Sequence, residues 1–379
     1  MDDWALHAHL IGQQGSRAGL NTPVLVIDLD AMRANIARMA AFAHASGLTL
    51  RPHAKTHKSN HIARLQVEAG AAGICCAKIG EAEAIADGGG IDSILITSPV
   101  VTPQAIGRLM ALNGRLRDLR VVADHPDNVT ALAGAAAMAG KALNVLIDVD
   151  PGIHRTGVSS PEAAVALARL VVNAPSLRYA GVQFYCGREQ HVASFEERRE
   201  KLLRRFDYLK TVLAALIEAG APAPVVTGGG TGSHVIDAEI GVLTELQAGS
   251  YIFMDRQYLD CDISGPLGAP FATSLFVDSS VISSNAEGMA TIDAGFKAMA
   301  TDGGLPAIHA GAPPDASFLF MGDEHGAIKT GTGILKLGDR VVLTTPHCDP
   351  TVNLYDAYHV VQGNTLAAIW PVSARGRSR

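Results

Sequence analysis

The chain contains few cysteines, and they are not arranged in pairs. Five cysteines occur among 379 residues, and none of them lies in a CxxC motif. An odd number of cysteines in a chain of this length argues against a disulfide framework and fits a reducing compartment. The first residues are acidic, which is not the basic and then apolar pattern of a secretory signal. We therefore expect a cytoplasmic protein.

Long apolar runs and an excess of basic residues are also lacking. Although 48% of the residues are hydrophobic, no run approaches the roughly 20 apolar residues that a membrane-spanning helix needs. The formal net charge of -6 provides no electrostatic attraction to nucleic acid. Neither a membrane nor a nucleic acid is therefore expected as a partner, and the expected partner is a small molecule.

Short β-branched runs alternate with segments of helical periodicity in the first two thirds of the chain. The eight runs lie at residues 48–51, 73–76, 93–97, 119–123, 144–150, 179–185, 224–227 and 245–248. Eight successive strand–helix units predict an α/β chain whose N-terminal part is a (β/α)8 barrel of the TIM type. A doubly wound open sheet is the alternative, but the first strand–helix turn has no GxGxxG motif to support it.

The pattern changes after about Tyr251, where alternation with period two replaces helical periodicity. The alternating runs lie at residues 275–280, 289–293, 318–321, 340–345, 357–361 and 366–372. We therefore predict a mainly β domain at residues 267–379 that follows a barrel at residues 22–266. Residues 1–21 are expected to form an N-terminal segment that packs with the β domain.

One stretch, RPHAKTHK at residues 51–58, places a lysine among cationic neighbours directly after the first predicted barrel strand. An amine attacks a carbonyl only after it has lost its proton, and nearby positive charge lowers its pKa. Lys55 is therefore a candidate for a covalent bond to a carbonyl compound. The histidines His53, His57 and His61 could relay protons. The alternative interpretation is a solvated basic loop.

Two glycine-containing loops follow the seventh and eighth predicted strands, at the end of a barrel where active sites form. The first is GGGTG at residues 228–232, and the second contains Gly249 and Ser250. Without Cβ atoms the backbone can approach a ligand closely and present several N–H groups to an anion. The loops therefore predict a phosphate site, whereas a flexible connection is the alternative for three glycines alone.

Arg155 and Tyr185 belong to the same rim, after the fifth and at the end of the sixth predicted strand. An arginine is a cation that cannot be deprotonated, so it can hold an anionic oxygen beside a ring. The alternative for Arg155 is an ion pair with Asp148 or Asp150.

The pattern His347-Cys348-Asp349 follows another predicted strand. If the segment is extended, alternate side chains point to one face, so His347 and Asp349 would offer a nitrogen and a hard oxygen to one divalent cation. Two protein ligands leave positions open for water and substrate, as a catalytic metal needs. A turn histidine beside an Asp-Pro turn is the alternative, and Cys348 is expected to face the core.

Together these motifs resemble D-threonine aldolase, a family of the alanine racemase-like, fold-type III pyridoxal 5'-phosphate enzymes that also includes D-serine dehydratase. The resemblance extends from about Thr22 to the tail and includes ELQAGSY at residues 245–251 and DEHG at residues 323–326. It implies a cofactor-binding barrel with a β domain, a homodimer, and a divalent metal near the cofactor, with Mn2+ or Mg2+ as the expected ion.

The resemblance also implies residue roles. Lys55 would bind the cofactor covalently and Arg155 would contact its 3-oxygen, while His347 and Asp349 would bind the metal. The remaining cofactor contacts would come from Tyr185, Thr231, Gly232, Gly249, Ser250 and Tyr251. The general base is left open between a metal-bound hydroxide and a histidine such as His53 or His191.

The implied reaction is retro-aldol cleavage of D-threonine and related D-β-hydroxy-amino acids to glycine and an aldehyde, because aldolases carry His-x-Asp where the dehydratases carry His-x-Cys with zinc. A 3-hydroxyaspartate aldolase, which a spare cation in the pocket would favour, and a D-serine or D-3-hydroxyaspartate dehydratase remain open. A non-catalytic cofactor carrier would lack the β domain and metal pair. Ala77, where glutamine is expected, and Cys186, where histidine is common, depart from the family pattern and concern the substrate contacts.

Overall fold

A computed structural model describes residues 2–331, 333 and 335–379 of the chain. After helix α1 (Asp3–His7), strand β1 (Val24–Asp28) and helix α2 (Leu29–Ala45), strands and helices alternate. The strands are β2 (Thr49–Leu50), β3 (Ile74–Cys76), β4 (Ser93–Ile96), β5 (Asp118–Ala123), β6 (Leu143–Asp148), β7 (Leu177–Phe184), β8 (Val226–Gly228) and β9 (Glu245–Leu246). The helices are α3 (Asn60–Glu68), α4 (Ile79–Asp87), α5 (Pro103–Arg115), α6 (Pro126–Ala139), α7 (Pro161–Val172), α8 (Phe195–Glu218) and α9 (His234–Ile240).

These strands form the predicted (β/α)8 barrel. All of them are parallel, in the order β2-β9-β8-β7-β6-β5-β4-β3. A parallel bridge between His53 and Cys75 joins the two ends of this order, and the Cys75 N–H donates to the Pro52 carbonyl at 2.8 Å. All eight predicted runs overlap the observed strands, so the sequence pattern located the barrel correctly.

The barrel strands are buried on both faces because helices cover their outer side. Every residue of β4 is buried, and α8 buries Leu202, Phe206 and Leu209 along one stripe. Helices α5 and α7 each start with a proline after a capping Thr102 or Ser160, whose side chain accepts an N–H of the first turn. None of the helices in the described parts of the chain is long and apolar enough to cross a membrane.

A second, mixed sheet follows the barrel, after the short helix α10 (Arg256–Leu259). Its later strands are β10 (Leu275–Ala286), β11 (Met289–Ile292), β12 (Ala307–Ala310), β13 (Ser317–Phe320), β14 (Gly326–Lys329), β15 (Arg340–Thr344), β16 (Ala357–Gln362) and β17 (Thr365–Pro371), with helix α11 (Cys348–Val352) between β15 and β16. The architecture is therefore the predicted barrel with a mainly β C-terminal domain. Strands β12 and β14 were not predicted.

Strand β1 also belongs to the second sheet, where it pairs antiparallel with β10 and parallel with β16. No strand was predicted at these residues, which the expected boundary at residue 22 counted with the barrel part of the chain, whereas the observed strand pairs with two strands of the second sheet. The run is almost entirely buried, like a barrel strand, so its composition could not distinguish the two sheets. The preceding residues lie on the same sheet, since the Gly12 N–H donates to the Leu366 carbonyl at 2.8 Å.

A histidine pair links the N-terminal segment to β16. His7 Nδ1 lies 2.8 Å from His359 Nε2, and ligand atoms of Asp3, His7 and His359 all lie within 4.8 Å of one another. The Asn21 N–H donates to His7 Nε2 at 2.9 Å, so the hydrogen of this neutral imidazole is on Nδ1 and is donated to His359. Because metal binding at Nδ1 would displace that hydrogen, we interpret the cluster as a hydrogen-bonded link rather than a metal site.

Candidate functional site

A cavity of about 550 Å³ lies at the C-terminal ends of the barrel strands. The site residues predicted from the sequence that line it are His53, Lys55, Arg155, Tyr185, Thr231, Gly249 and Ser250. They lie in the segments that follow β2, β6, β7, β8 and β9. Side chains and backbone groups that are far apart in the sequence therefore meet in one cavity.

Lys55 lies in a short 3-10 turn, Ala54–Thr56, directly after β2. Its Nζ donates to Asp349 Oδ2 at 2.5 Å, and the two residues are 294 positions apart in the chain. The Asp349 carboxylate raises the pKa of Lys55 above its ordinary value, although burial acts in the opposite direction. The ammonium group of Lys55 therefore contacts the residue expected to bind a metal.

The cationic neighbours of Lys55 do not lower its pKa as expected from the sequence. Arg51 is buried and donates to Glu245 at 3.0 Å, and Lys58 lies 3.7 Å from Glu81. Each of these cations is neutralised by its own carboxylate. The pKa of Lys55 is instead set mainly by Asp349. This residue is far from the lysine in the sequence.

His53 is held on both sides of its ring. The Lys55 N–H donates to His53 Nδ1 at 3.3 Å, and His53 Nε2 lies 3.0 Å from Thr97 Oγ1. Because the Thr97 hydroxyl donates to the Cys76 carbonyl at 3.3 Å, its oxygen accepts the Nε2 hydrogen of His53. Burial, followed by the charge of Lys55, lowers the pKa of His53 to about 3. The neutral ring thus uses both nitrogens to support the lysine turn.

His191 lies on the turn before α8, and its ring centroid is 4.5 Å from that of Tyr258, which lines the cavity. Burial, followed by the charges of His347 and Lys55, lowers the pKa of His191 to about 4. The ring is therefore neutral near pH 7. Arg198 holds this turn in place, since its guanidinium donates to the carbonyls of Val192 and Asp262.

Close packing explains the glycines of the two phosphate-loop candidates. A Cβ on Gly230 would lie 2.5 Å from Gln190 Oε1, and one on Gly249 would lie 2.8 Å from Thr56 Oγ1. The Tyr251 N–H donates to Thr231 Oγ1 at 2.9 Å and so joins the two loops. Within the described residues, the N–H groups of Thr231, Gly249 and Ser250 have no hydrogen-bond acceptor.

Tyr251 and Gly232, two of the expected cofactor contacts, do not present free groups to the cavity. The Tyr251 side chain is fully buried, and its hydroxyl oxygen accepts from Gln66 at 3.0 Å, so the phenol points into the core. The Gly232 N–H donates to Gln190 Oε1 at 3.0 Å and is already satisfied. These two residues shape the loops, whereas Thr231, Gly249 and Ser250 present groups to the cavity.

Arg155 lies with its guanidinium carbon 5.6 Å from the centre of the Tyr185 ring. The alternative ion pair with Asp150 is not formed, because that carboxylate accepts the N–H groups of Gly152 and Ile153 at 2.9 and 2.8 Å. Asp150 thus shapes the loop that carries Arg155. The guanidinium remains exposed at the cavity.

The metal-ligand candidates lie at the start of a helix, and the expectation of an extended segment is wrong. His347 is the N-cap residue of α11, and Asp349 is in its first turn. Although burial acts to raise it, the pKa of Asp349 is held below its usual range by Lys55 and His347. Cys348 is fully buried as expected, and its N–H donates to Asp255 Oδ2 at 2.8 Å.

Two residues of this region, Asp302 and Lys78, were not predicted from the sequence as site residues. Asp302 Oδ2 lies 2.7 Å from His347 Nδ1, but no local motif connects residues 45 positions apart. Lys78 lines the cavity beside Ala77 and is exposed. In the described parts of the chain Lys78 has no carboxylate partner. The sequence analysis linked a spare cation in the pocket to a 3-hydroxyaspartate substrate, but it assigned this cation to no residue.

Comparison with known proteins places this geometry in a family. The model "Alanine racemase, N-terminal domain" matches residues 27–257, and "Putative serine dehydratase domain" matches residues 274–361. The chain is 39% identical to D-threonine aldolase from Arthrobacter sp, over 96% of this chain and 94% of that protein. It is 38% identical to 3-hydroxy-D-aspartate aldolase from Paracoccus denitrificans, over 94% and 93% of the two chains.

Solved structures agree with the sequence comparisons. The crystal structure of D-threonine aldolase from Filomicrobium marinum is 37% identical, with a TM-score of 0.92 over 96% of this chain and 98% of that chain. D-threo-3-hydroxyaspartate dehydratase from Delftia sp. HT23 is 28% identical, with a TM-score of 0.82 over 94% and 98% of the chains, and a variant of such a dehydratase was solved in a metal-free form. The chain therefore belongs to the alanine racemase-like, fold-type III family of pyridoxal phosphate-dependent lyases that contains the D-threonine and 3-hydroxy-D-aspartate aldolases.

Proposed function

We propose that this protein is a D-threonine-type aldolase that cleaves D-threonine and related D-β-hydroxy-α-amino acids to glycine and an aldehyde. The observation that carries the proposal is the 2.5 Å contact between Lys55 and Asp349. It brings the candidate cofactor lysine and the candidate metal carboxylate to one point beside the cavity. A carboxylate at this position is a hard ligand, which favours Mn2+ or Mg2+ over zinc. The proposed working form is a cytoplasmic homodimer.

The residues of the cavity fit pyridoxal 5'-phosphate. Lys55 provides the amine that would hold it covalently, and the unpaired N–H groups of Thr231, Gly249 and Ser250 would receive its phosphate. Arg155, beside Tyr185, would hold the ring oxygen. When bound, the cofactor accepts the electron pair that is released at Cα.

His347 and Asp349 would hold the divalent metal, with positions left open for substrate oxygen. A divalent ion there would lower the pKa of the β-hydroxyl group. The relative solved in a metal-free form supports a metal in this family. The harder carboxylate, rather than a cysteine thiolate, supports cleavage of Cα–Cβ over loss of the hydroxyl group.

Cleavage also requires a base that takes the β-hydroxyl proton as the Cα–Cβ bond breaks. We propose His191 for this role. Its ring is neutral near pH 7 and contacts Tyr258 at the cavity, and neither of its nitrogens has a hydrogen-bond partner within the described residues. His53 is less suited to the role, because both of its nitrogens support the lysine turn.

A product assay tests the proposed reaction. Purified protein is incubated with pyridoxal phosphate, Mn2+ and D-threonine, and acetaldehyde, glycine and ammonia are measured together. We expect acetaldehyde and glycine in equal amounts, because retro-aldol cleavage keeps the amino group on glycine. Ammonia with a 2-oxo acid and no glycine would contradict the aldolase proposal and favour the dehydratase.

A 3-hydroxyaspartate is the second candidate substrate, and Lys78 is the observation that favours it. The residue is a cation without a carboxylate partner in the described chain, and it lies on the cavity wall next to Ala77. The small Ala77 side chain leaves room beside it. A β-carboxylate of the substrate could therefore form a charge-assisted contact with Lys78, which the methyl group of D-threonine cannot form.

The variant K78Q should separate the two substrates. Loss of the cation is expected to lower kcat/KM for D-3-hydroxyaspartate by about tenfold, allowing for the exposure of the lysine, and to leave D-threonine almost unchanged. K201Q, which removes an exposed lysine of α8 paired with Glu197, serves as the control and should affect neither substrate. Equal losses on both substrates would contradict a selective role for Lys78.

A further inference from the structure

We infer that Asp302 orients His347 for metal binding, an inference that rests on the metal site of the proposed function. Asp302 Oδ2 lies 2.7 Å from His347 Nδ1. A carboxylate only accepts hydrogen bonds, so Nδ1 carries the hydrogen and donates it to Asp302. When the imidazole is neutral, its lone pair is then on Nε2. Asp302 thus selects the nitrogen that His347 can offer to a cation.

The segment that carries Asp302 is also attached to helix α11 through Thr351. The Ala300 N–H donates to Thr351 Oγ1 at 3.0 Å, and this hydroxyl donates to the His347 carbonyl at 2.7 Å. One residue therefore connects the backbone before Asp302 to the backbone of His347. The distance between the carboxylate and the imidazole is set by this connection rather than by the two side chains alone.

Gly303 brings the other end of the segment against the same residue. A Cβ on Gly303 would lie 2.8 Å from the Pro346 carbonyl oxygen and 3.1 Å from the Cβ of His347. Such a close approach is open only to glycine. Tyr355 adds a further contact, since its hydroxyl donates to the Ala298 carbonyl at 2.8 Å. Residues 298–303 are thus packed along α11, with Asp302 facing the imidazole.

A simple surface ion pair is the competing interpretation. The Asp302 side chain is 57% exposed and that of His347 is 23% exposed, and exposed pairs contribute little to folding. The two interpretations differ in what the contact affects. An ion pair would influence stability slightly, whereas an orienting contact controls metal affinity, because an imidazole with the wrong tautomer or rotation must pay a cost each time the metal binds.

The test measures Mn2+ binding to the protein loaded with pyridoxal phosphate, using the electron paramagnetic resonance signal of free Mn2+. D302A is expected to raise the Kd for Mn2+ by about 10- to 100-fold. D302N should recover most of the affinity, since the amide oxygen can still accept from Nδ1.

Two controls make the outcomes distinguishable. D323A removes an exposed carboxylate of the same domain that lies 3.8 Å from Lys297, and it should bind Mn2+ normally. H347A should lose the tight site. If H347A loses the site while D302A keeps the parent Kd, the inference about Asp302 is overturned and the metal site stands. If the parent protein shows no saturable Mn2+ site, or H347A binds as well as the parent, the proposed metal site itself fails.

Discussion

Aldehyde formation is expected to fall by at least about 1000-fold when Lys55 is replaced with alanine. The amine is the group proposed to hold the cofactor covalently, and Lys55 lines the cavity in contact with Asp349. Release of acetaldehyde from D-threonine gives the rate. The visible absorbance of the protein-bound cofactor, recorded on the same sample, should shift to that of free pyridoxal phosphate.

The variant K55R distinguishes the covalent role of Lys55 from its charge. A guanidinium stays protonated and cannot bond to a carbonyl carbon, but it retains a cation beside Asp349. K55R is therefore expected to be as inactive as K55A while folding normally, as judged by circular dichroism. Substantial turnover by either variant would contradict the assignment of the cofactor lysine. K201A, on the exposed face of α8, should retain full activity.

Replacing His191 with asparagine is expected to lower kcat by about 100-fold or more, the range in which a general base contributes. The structural reason is its position beside Tyr258 with a neutral ring near pH 7. KM for D-threonine and the Kd for Mn2+ should change little, because the proposed ligands of the metal remain. Initial rates at saturating Mn2+ and cofactor, with both occupancies measured separately, provide the test.

His154 supplies the matched control for this prediction. It is an exposed histidine in the loop after β6, with its Nδ1 atom 2.8 Å from Asp150 Oδ2, and H154N should keep nearly the parent kcat. If H191N also keeps it, the proton must be taken by another group, and a metal-bound hydroxide becomes the leading alternative. If H191N instead loses Mn2+, the residue acts at the metal rather than as the base.

Much of the fold followed from local patterns in the sequence. Eight short apolar runs separated by helical stripes located every barrel strand, because strand and helix periodicities are properties of neighbouring residues. The same patterns did not predict β1. Its pairing with β10 and β16 involves residues more than 240 positions away.

In the candidate site, too, some features followed from local sequence patterns and others did not. The motifs around Lys55 and the two glycine loops could be recognised locally, and the barrel rule predicted that they would meet. The helical start at His347 could not be recognised in the same way, since a His-x-Asp pattern is compatible with either an extended segment or a first helical turn.

The sequence by itself determined the barrel and the β domain, and it pointed to the candidate cofactor lysine and to Asp349 as a candidate hard metal ligand. Only the tertiary structure decided that Asp349, and not the cationic neighbours in the sequence, sets the pKa of Lys55, that His53 supports the turn, and that Asp302 faces His347. The physical reason is that pKa values, tautomers and ligand orientation depend on charges and hydrogen bonds a few ångströms away in space. In this chain those groups come from segments that the sequence keeps far apart.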